Sequence, residues 1–520
     1  MRTAHIVIPT LFLALVIAPL ALRRTASEAP GLEDARTLIV VTPHLAQLRE
    51  EFGRGFSAWH LAEHGEPVRV RYVTPGGTSE IIKQLKALYQ AAWRDGRIDP
   101  ETFAAESGTV PIDVMFGGGS YDHGRLVNDL KVAHPETGDT VTVPMSVPAG
   151  FDAAQFEAWF GENRIGSQRL YHDEGYWQAT ALSSFGIVYN RREYAELGLP
   201  APRSFEDLTD PVLMNRIALA DPRLSGSITT TLDYILSHEG WDRGWRILRE
   251  MSANARYFSG SSSKPPIDVS AGEAAAGLAI DFYGRGQAQS VLRPGQSPED
   301  GVVGYADPAG SVFVDPDPVS VLRGGPEPEL ARRFVDYLLT EHGQAVWNFE
   351  PAGEHAGPEA LGPARYALRR LPVRRMMYQE HFERFTDRVN PYEIAGDDEP
   401  AGWRSSIGPI MGSFGIDTHP ELVAAWRALN EARAETGFPS EVLAAMEHAF
   451  YAMPVHEMPD GTALPFNEAN YRAVRGSWRE PGWGVRSRIR YQQFFRDRYA
   501  DVVRMHRTRV VIDREAEVAA

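Results

Sequence analysis

The sequence has no cysteine in its 520 residues. That absence excludes disulfides, thiol nucleophiles, cysteine-ligated zinc, iron–sulfur clusters and a lipid-modified N-terminal cysteine. Lysine is scarce, so arginine supplies nearly all of the 53 basic side chains, set against 69 acidic ones. A formal charge of -16 and an isoelectric point near 5.5 argue against a nucleic-acid partner, because neutralising phosphates takes a basic surface. The metal-helix H-E-x-x-H, the P-loop, G-x-S-x-G and G-x-G-x-x-G are also missing. Their absence weighs against a hydrolase or a nucleotide enzyme. No repeat of solenoid period is visible.

What is present is ordinary globular composition, 43% hydrophobic and 23% charged, in a chain too long for one core. One long apolar run, Ile6 to Leu22, follows an early arginine, with "TASEA" after Arg23 and Arg24 as a cleavage candidate. Residues 1–30 therefore read as a signal peptide or an N-terminal membrane anchor, which implies a periplasmic or extracytoplasmic protein. Beyond a polar linker, "TLIVVTPH" reads as a strand and "LAQLREEFGRGFSAWHLAEHG" as an amphipathic helix. "VRVRYV", the turn Gly76–Ser79 and a further helix repeat the scheme, and "PIDVMFGGGSYDHGRL" is a third strand ending in glycines. A second such series runs from "ALSSFGIVYN" through "GLAIDFYG", and "GSVFVDPDPVSVLRG" reads as an extended pair. Strands alternating with helices predict an open α/β sheet, with ligands beyond the carboxyl ends of its strands. From about Pro391 onward the pattern is helices and proline-rich loops.

The run "SSFGIVYNRREYAELGLPAPRSFEDLTDPVLMNRIALADPRLSGS" resembles bacterial extracellular solute-binding proteins, the capture subunits of ABC importers, in the branch with ferric-iron and polyamine binders. The resemblance rests on Gly186–Asn190, Leu197–Pro202, Phe205–Leu208, Asp210–Pro211, Asp221–Pro222 and Ser225–Gly226, in order and spacing. "ELARRFVDYLLTEHGQAVW" and "ARYALRRLPVRRMMY" extend it, so that it covers about residues 37–390. It implies a type II periplasmic-binding-protein-like α/β fold, two lobes joined by crossing strands with the ligand between them. Lobe 1 would comprise residues 37–150 with about 301–390, lobe 2 residues 181–300, and residues 391–520 a helical extension packing on the lobes. It further implies no enzymatic chemistry, no required cofactor, a monomer, and an ABC permease with its ATPase as partners. A ligand-sensing receptor for a membrane partner, or a polyamine-type cation binder, is the alternative.

Three turns set amides and hydroxyls at helix N-termini: Gly77–Thr78–Ser79, Gly118–Gly119 with Ser120, and Ser225–Gly226–Ser227. Orphan N–H groups and the helix dipole make such ends anion sites, although serine and threonine there also read as ordinary caps. Ser183 and Ser184 fall at a lobe crossing, and Asp315 and Asp317 sit between prolines. In "YFSGSSSKPP", Ser263 and Lys264 read as part of a polar ligand loop. Ser261 and Lys264 also satisfy S-x-x-K, but Pro265–Pro266 argue against the helix turn that serine acylation needs. The strand ending "GLAIDFYG" has Phe282 and Tyr283 where, by the resemblance, ferric binders carry two tyrosines. His44, Asp281 and Tyr283 are then the candidate ligands for a ferric ion held with an anion. The transported solute is expected to be an anionic small molecule or such an iron–anion pair.

Overall fold

Aliphatic runs of about six residues, too short for helices, pair into one mixed sheet, and the amphipathic segments between them cover its faces. A computed structural model describes residues 35–293, 295–296, 300–308, 312–357 and 360–512. The segment 1–30, read as a signal or anchor, lies outside the described residues. Among the described residues no helix is long and apolar enough to cross a membrane.

The chain opens with β1 (Arg36–Val41), α1 (Ala46–His64), β2 (Val68–Val73), α2 (Thr78–Arg94), β3 (Val114–Phe116) and α3 (Ser120–Asn128). The helix α1 buries Leu48, Phe52, Phe56 and His60, the i, i+4 ladder of one apolar face. A long strand β4 (Gln178–Asn190) leads to β5 (Ile217–Ala220), α4 (Gly226–Glu239), α5 (Trp241–Asn254), β6 (Ala255–Ser259), α6 (Lys264–Ser270), β7 (Ala276–Ile280) and α7 (Asp281–Ser290). Then come β8 (Val303–Ala306), β9 (Phe313–Leu322), α8 (Pro328–Leu339), α9 (Glu341–Asn348) and the short β10 (Leu371–Pro372).

The sheet order is β2-β1-β3-β9-β4-β7-β5-β6, with β8 and β10 also paired to β4. Its outer strands run parallel, β1 with β2 and β3 on one side and β5 with β6 and β7 on the other. Between them β4 and β9 run antiparallel and are buried throughout. These two strands pass from one lobe to the other. The first lobe holds β1–β3, α1–α3, α8 and α9; the second holds β5–β8 and α4–α7.

Two expectations are corrected. The "VFVDPDPV" segment is one strand, not an extended pair. It tolerates Pro316 and Pro318 because its register shifts between Asp317 and Pro318, where ladder bonding is given up. The Pro265–Pro266 step does not prevent a helix, since both prolines occupy the first turn of α6, where no N–H is needed.

The region after residue 390 contains α10 (Arg404–Met411), α11 (His419–Ala434), α12 (Ser440–Tyr451) and α13 (Trp483–Thr508). Its apolar residues Ile410, Phe414, Trp426, Leu429, Phe450 and Phe495 join one core with Leu219, Leu232, Trp245 and Leu248 of the second lobe. Each such side chain contributes roughly 1.5–3 kcal/mol by burial. Arg249 ties the two parts together. It is 1% exposed, donates to the carbonyls of Phe450 and Ala452 (3.0 Å for the latter), and lies 5.0 and 5.1 Å from the rings of Phe414 and Phe495. Replacing it by alanine leaves those carbonyls unanswered beside a cavity. Arg249→Ala should lower the unfolding free energy by roughly 2–4 kcal/mol in urea titrations. An unchanged midpoint would mean that the extension is not coupled to the lobe through this residue.

Candidate functional site

Between the lobes lies a cleft of about 420 Å³. That volume suits a small organic solute. Six helices begin at its wall. Pro43–Leu45 precede α1, Gly76–Thr78 open α2, Gly118 and Gly119 precede α3, Ser225–Ser227 open α4, Gly260–Ser263 precede α6, and Ile280, Phe282 and Tyr283 open α7. The geometry follows from the sheet: each helix starts where a strand ends, so parallel strands deliver their following helices to one edge. Ser225 caps α4 through the Ile228 amide at 3.4 Å. The N-caps of α2 and α3 are glycines with no side chain to offer; at α3 the amides of Gly118, Gly119 and Ser120 already serve Asp317, Asp122 and Asp315, which leaves the start of α2 as the better donor.

The glycine run before α3 is a steric requirement. A Cβ on Gly117, at φ +94°, would stand 2.4 Å from the His44 ring, and one on Gly119 would stand 2.5 Å from Asp315 Oδ2. Asp315 and Asp317, two residues apart on β9, share one face and both line the cleft. Asp317 Oδ1 accepts the Gly118 amide at 3.0 Å, its Oδ2 accepts His44 Nε2 at 3.0 Å, and Arg370 pairs with the same carboxylate. Burial and the nearby Arg370 and Arg49 guanidinium groups hold His44 well below its ordinary pKa, so the ring is neutral. With Nε2 donating to Asp317, Nδ1 keeps a lone pair that no described residue answers.

Arg370 also lies 3.8 Å from the centroid of the Phe282 ring. The phenyl that offers no oxygen to a metal thus offers its face to a guanidinium. Burial raises the Asp315 carboxyl to about 7, against the lowering pull of the Ser120 hydroxyl, which donates to it at 2.7 Å, and of Arg404. Burial likewise raises Asp122.

His44, Gly77, Thr78, Gly118, Gly119, Ser183, Ser225, Gly226, Ser227, Ser263 and Tyr283 all line the cleft. Four residues read as ligands from sequence do not. Ser79 is exposed on α2. Ser184 is buried with its hydroxyl donating to Asp307 Oδ1 at 2.8 Å. Lys264 pairs with Asp268 and lies 4.8 Å from the Tyr257 ring centroid. Asp281 is fully buried, because a helix starts there: its carboxylate accepts the Phe282 amide at 2.8 Å and faces Arg285 at 3.5 Å. His44, Asp281 and Tyr283 therefore do not share the cleft as an iron triad. Among the described residues no group of three or more His, Asp or Glu side chains is placed to hold a metal ion. Sequence reasoning missed Tyr121, Asp122 and Thr230, just beyond turns already singled out, and Arg370 and Arg404, which line the cleft from distant segments. Arginine-rich "ALRRLPVRR" was the one available signal.

Residues 160–355 match the family described as bacterial extracellular solute-binding protein. The chain is 29% identical over 168 residues to the phosphoglycerate transport regulatory protein PgtC of Salmonella typhimurium, an overlap covering 32% of this chain and 40% of that relative's length. Among solved structures it is similar to the periplasmic binding protein AfuA from Actinobacillus pleuropneumoniae with fructose-6-phosphate bound, at 15% identity, 77% and 100% coverage and a TM-score of 0.47. It is also similar to iron-bound HitA from Pseudomonas aeruginosa, at 15% identity, 72% and 98% coverage and a TM-score of 0.48.

Asp315 leaves a pH signature. Its folded-state pKa of about 7 exceeds the ordinary carboxylate value, so folding takes up a proton that the unfolded chain loses near pH 4. The stability tied to that proton is fully present below about pH 4 and lost as pH rises through about 7. Asp315→Asn removes the dependence. Its melting temperature should fall less than that of the wild type between pH 5 and 8, leaving the variant ahead at pH 8 by about 1 kcal/mol or more. Parallel pH curves would show that Asp315 ionises like a solvated acid.

Proposed function

We propose that this chain, which carries a bacterial extracellular solute-binding domain over residues 160–355, captures a small phosphorylated or carboxylated organic anion between its lobes. The closed form then engages a membrane permease and its ATPase on the extracytoplasmic side. In this reading residues 37–150 with about 301–390 form one lobe and 181–300 the other, with 391–520 as the extension and 1–30 directing export or anchoring.

The carrying observation is the convergence of helix N-termini from both lobes on one cleft that also holds Arg370 and Arg404. Amides at α2 and hydroxyls of Ser183, Ser225, Ser227 and Ser263 line the cleft as donors suited to phosphate or carboxylate oxygens. Of the cleft's acids, Asp317 is already matched by Arg370, while Asp122 and Asp315 are pushed toward neutrality. The charge balance therefore favours an anion over a polyamine. A ferric ion is disfavoured by Arg370, whose guanidinium lies on Phe282 beside Tyr283 and would repel it. The similarity to a phosphoglycerate transport regulatory protein supports a phosphorylated acid as solute. The word "regulatory" in that name also supports the sensing alternative, in which the closed form signals to a membrane partner without transport.

Isothermal titration of the purified protein against 3-phosphoglycerate, inorganic phosphate, ferric citrate and spermidine tests this reading. We expect saturable binding of 3-phosphoglycerate, with a smaller radius of gyration in solution scattering as the lobes close. Tight spermidine binding with no response to any anion would overturn it.

A further inference from the structure

Among the described residues, the region after residue 390 gives one charged side chain to the cleft. Arg404 opens α10, and its neighbours in that region are fixed to the second lobe. Trp403 packs edge-on against Trp241 at 5.2 Å, Ile407, Ile410 and Met411 enter the shared core, and Asp417 accepts from Arg223 at 2.9 Å. Arg404 itself reaches the line where the lobes meet. Its Nη1 donates to Thr230 Oγ1 at 2.8 Å and its Nη2 to the Gly226 carbonyl at 3.0 Å, both on second-lobe α4. The guanidinium carbon lies 4.5 Å from the centroid of the Tyr121 ring, on first-lobe α3. The same residue walls both the cleft and an adjoining cavity of about 370 Å³.

A guanidinium carries five N–H donors in a planar fork, and Arg404 gives two hydrogen bonds to uncharged groups. It forms no ion pair among the described residues. The acids that feel its charge are Asp122, Asp315 and Asp233, and burial drives each of them toward its neutral form. A half-buried cation whose neighbouring carboxyls resist ionisation has no matched counter-charge, and a solute that supplied one would gain a charge-assisted contact.

We propose that the extension completes the solute site: Arg404 pairs with the anionic group of the bound solute, and its seat on both lobes makes the extension part of the closed state. This rests on the anion reading above. The fork geometry selects groups with two adjacent acidic oxygens, carboxylate or phosphate, and a lysine at this position would satisfy charge without that geometry. The role comes from outside the family-matched segment, which ends at residue 355.

The test uses the full-length protein with Arg404→Gln and Arg404→Lys, titrated with 3-phosphoglycerate and inorganic phosphate. Hydrogen exchange is followed without solute at Tyr121 and over Gly226–Thr230. We expect Kd to rise roughly 10- to 100-fold in Arg404→Gln and less in Arg404→Lys, with unchanged melting temperatures. We also expect faster exchange at both lobe contacts in Arg404→Gln. If the wild type binds 3-phosphoglycerate and Arg404→Gln binds it equally well, the recognition role falls while the anion reading stands. If the wild type binds neither probe, the anion reading falls and the recognition role with it. Exchange that is unchanged in Arg404→Gln overturns the two-lobe seat, whatever binds.

Discussion

The Asp317 carboxylate joins parts of the chain that are otherwise far apart in sequence. It takes the Gly118 amide from the loop before α3, the His44 ring from the loop before α1, and the Arg370 guanidinium from the segment leading into β10. Its side chain is 4% exposed and that of Arg370 9% exposed. An isolated ion so deeply placed would cost several kcal/mol in desolvation, so charge pairing and the amide bond must act together. The consequence is positional. With three loops tied to one carboxylate on a strand that crosses between lobes, the first-lobe edge of the cleft is a rigid wall.

From that wall the charge distribution follows. Asp317 is ion-paired where it stands, and His44 stays uncharged because its burial, and then the neighbouring Arg370 and Arg49, disfavour a second cation. Asp315, two residues away on the same face, has no such partner and resists ionisation. Two neighbouring aspartates on one strand thus differ: Asp317 is ion-paired with Arg370, while burial pushes Asp315 toward its neutral form. The cleft gathers amides, hydroxyls and a second guanidinium around Asp315.

The lobes and their strand ends were legible because the relevant signals are local. A six-residue aliphatic run, a glycine turn and an amphipathic helix all lie within thirty or so residues, and each repeats. That was enough to bring Gly77, Thr78, Gly118, Gly119, Ser225 and Ser227 to one cleft. Asp281 shows where this reasoning stops. The sequence placed it at a strand's end, but a side chain at a helix start can turn toward the cleft or back toward its own next turn, and Arg285 decided it. Lys264 was misplaced for the same reason, with Asp268 four residues on. Arg370 showed only as one of several arginines in "ALRRLPVRR" and Arg404 not at all, since their partners are 53 and more positions away in sequence, Asp317 for the first and Gly226 and Thr230 for the second.

The placement of the extension bears on how such a cleft can work. The helices α10–α13 share a core with the second lobe, whereas Tyr392, Ile394 and Ala395 at the start of the region pack on the first lobe's core. Had the same helices packed equally on both lobes, burial on the scale of several large side chains would have fixed one arrangement, and a small solute's differential affinity would not shift it. Across the gap Arg404 faces the Tyr121 ring and Arg370 the Phe282 ring, contacts of about 0.5–2 kcal/mol each, and Arg369 donates to Gln289 at 3.1 Å, a set small enough for a solute to tip. For the solute capture proposed above, closure needs that balance: heavy packing within each lobe and lighter contact between them.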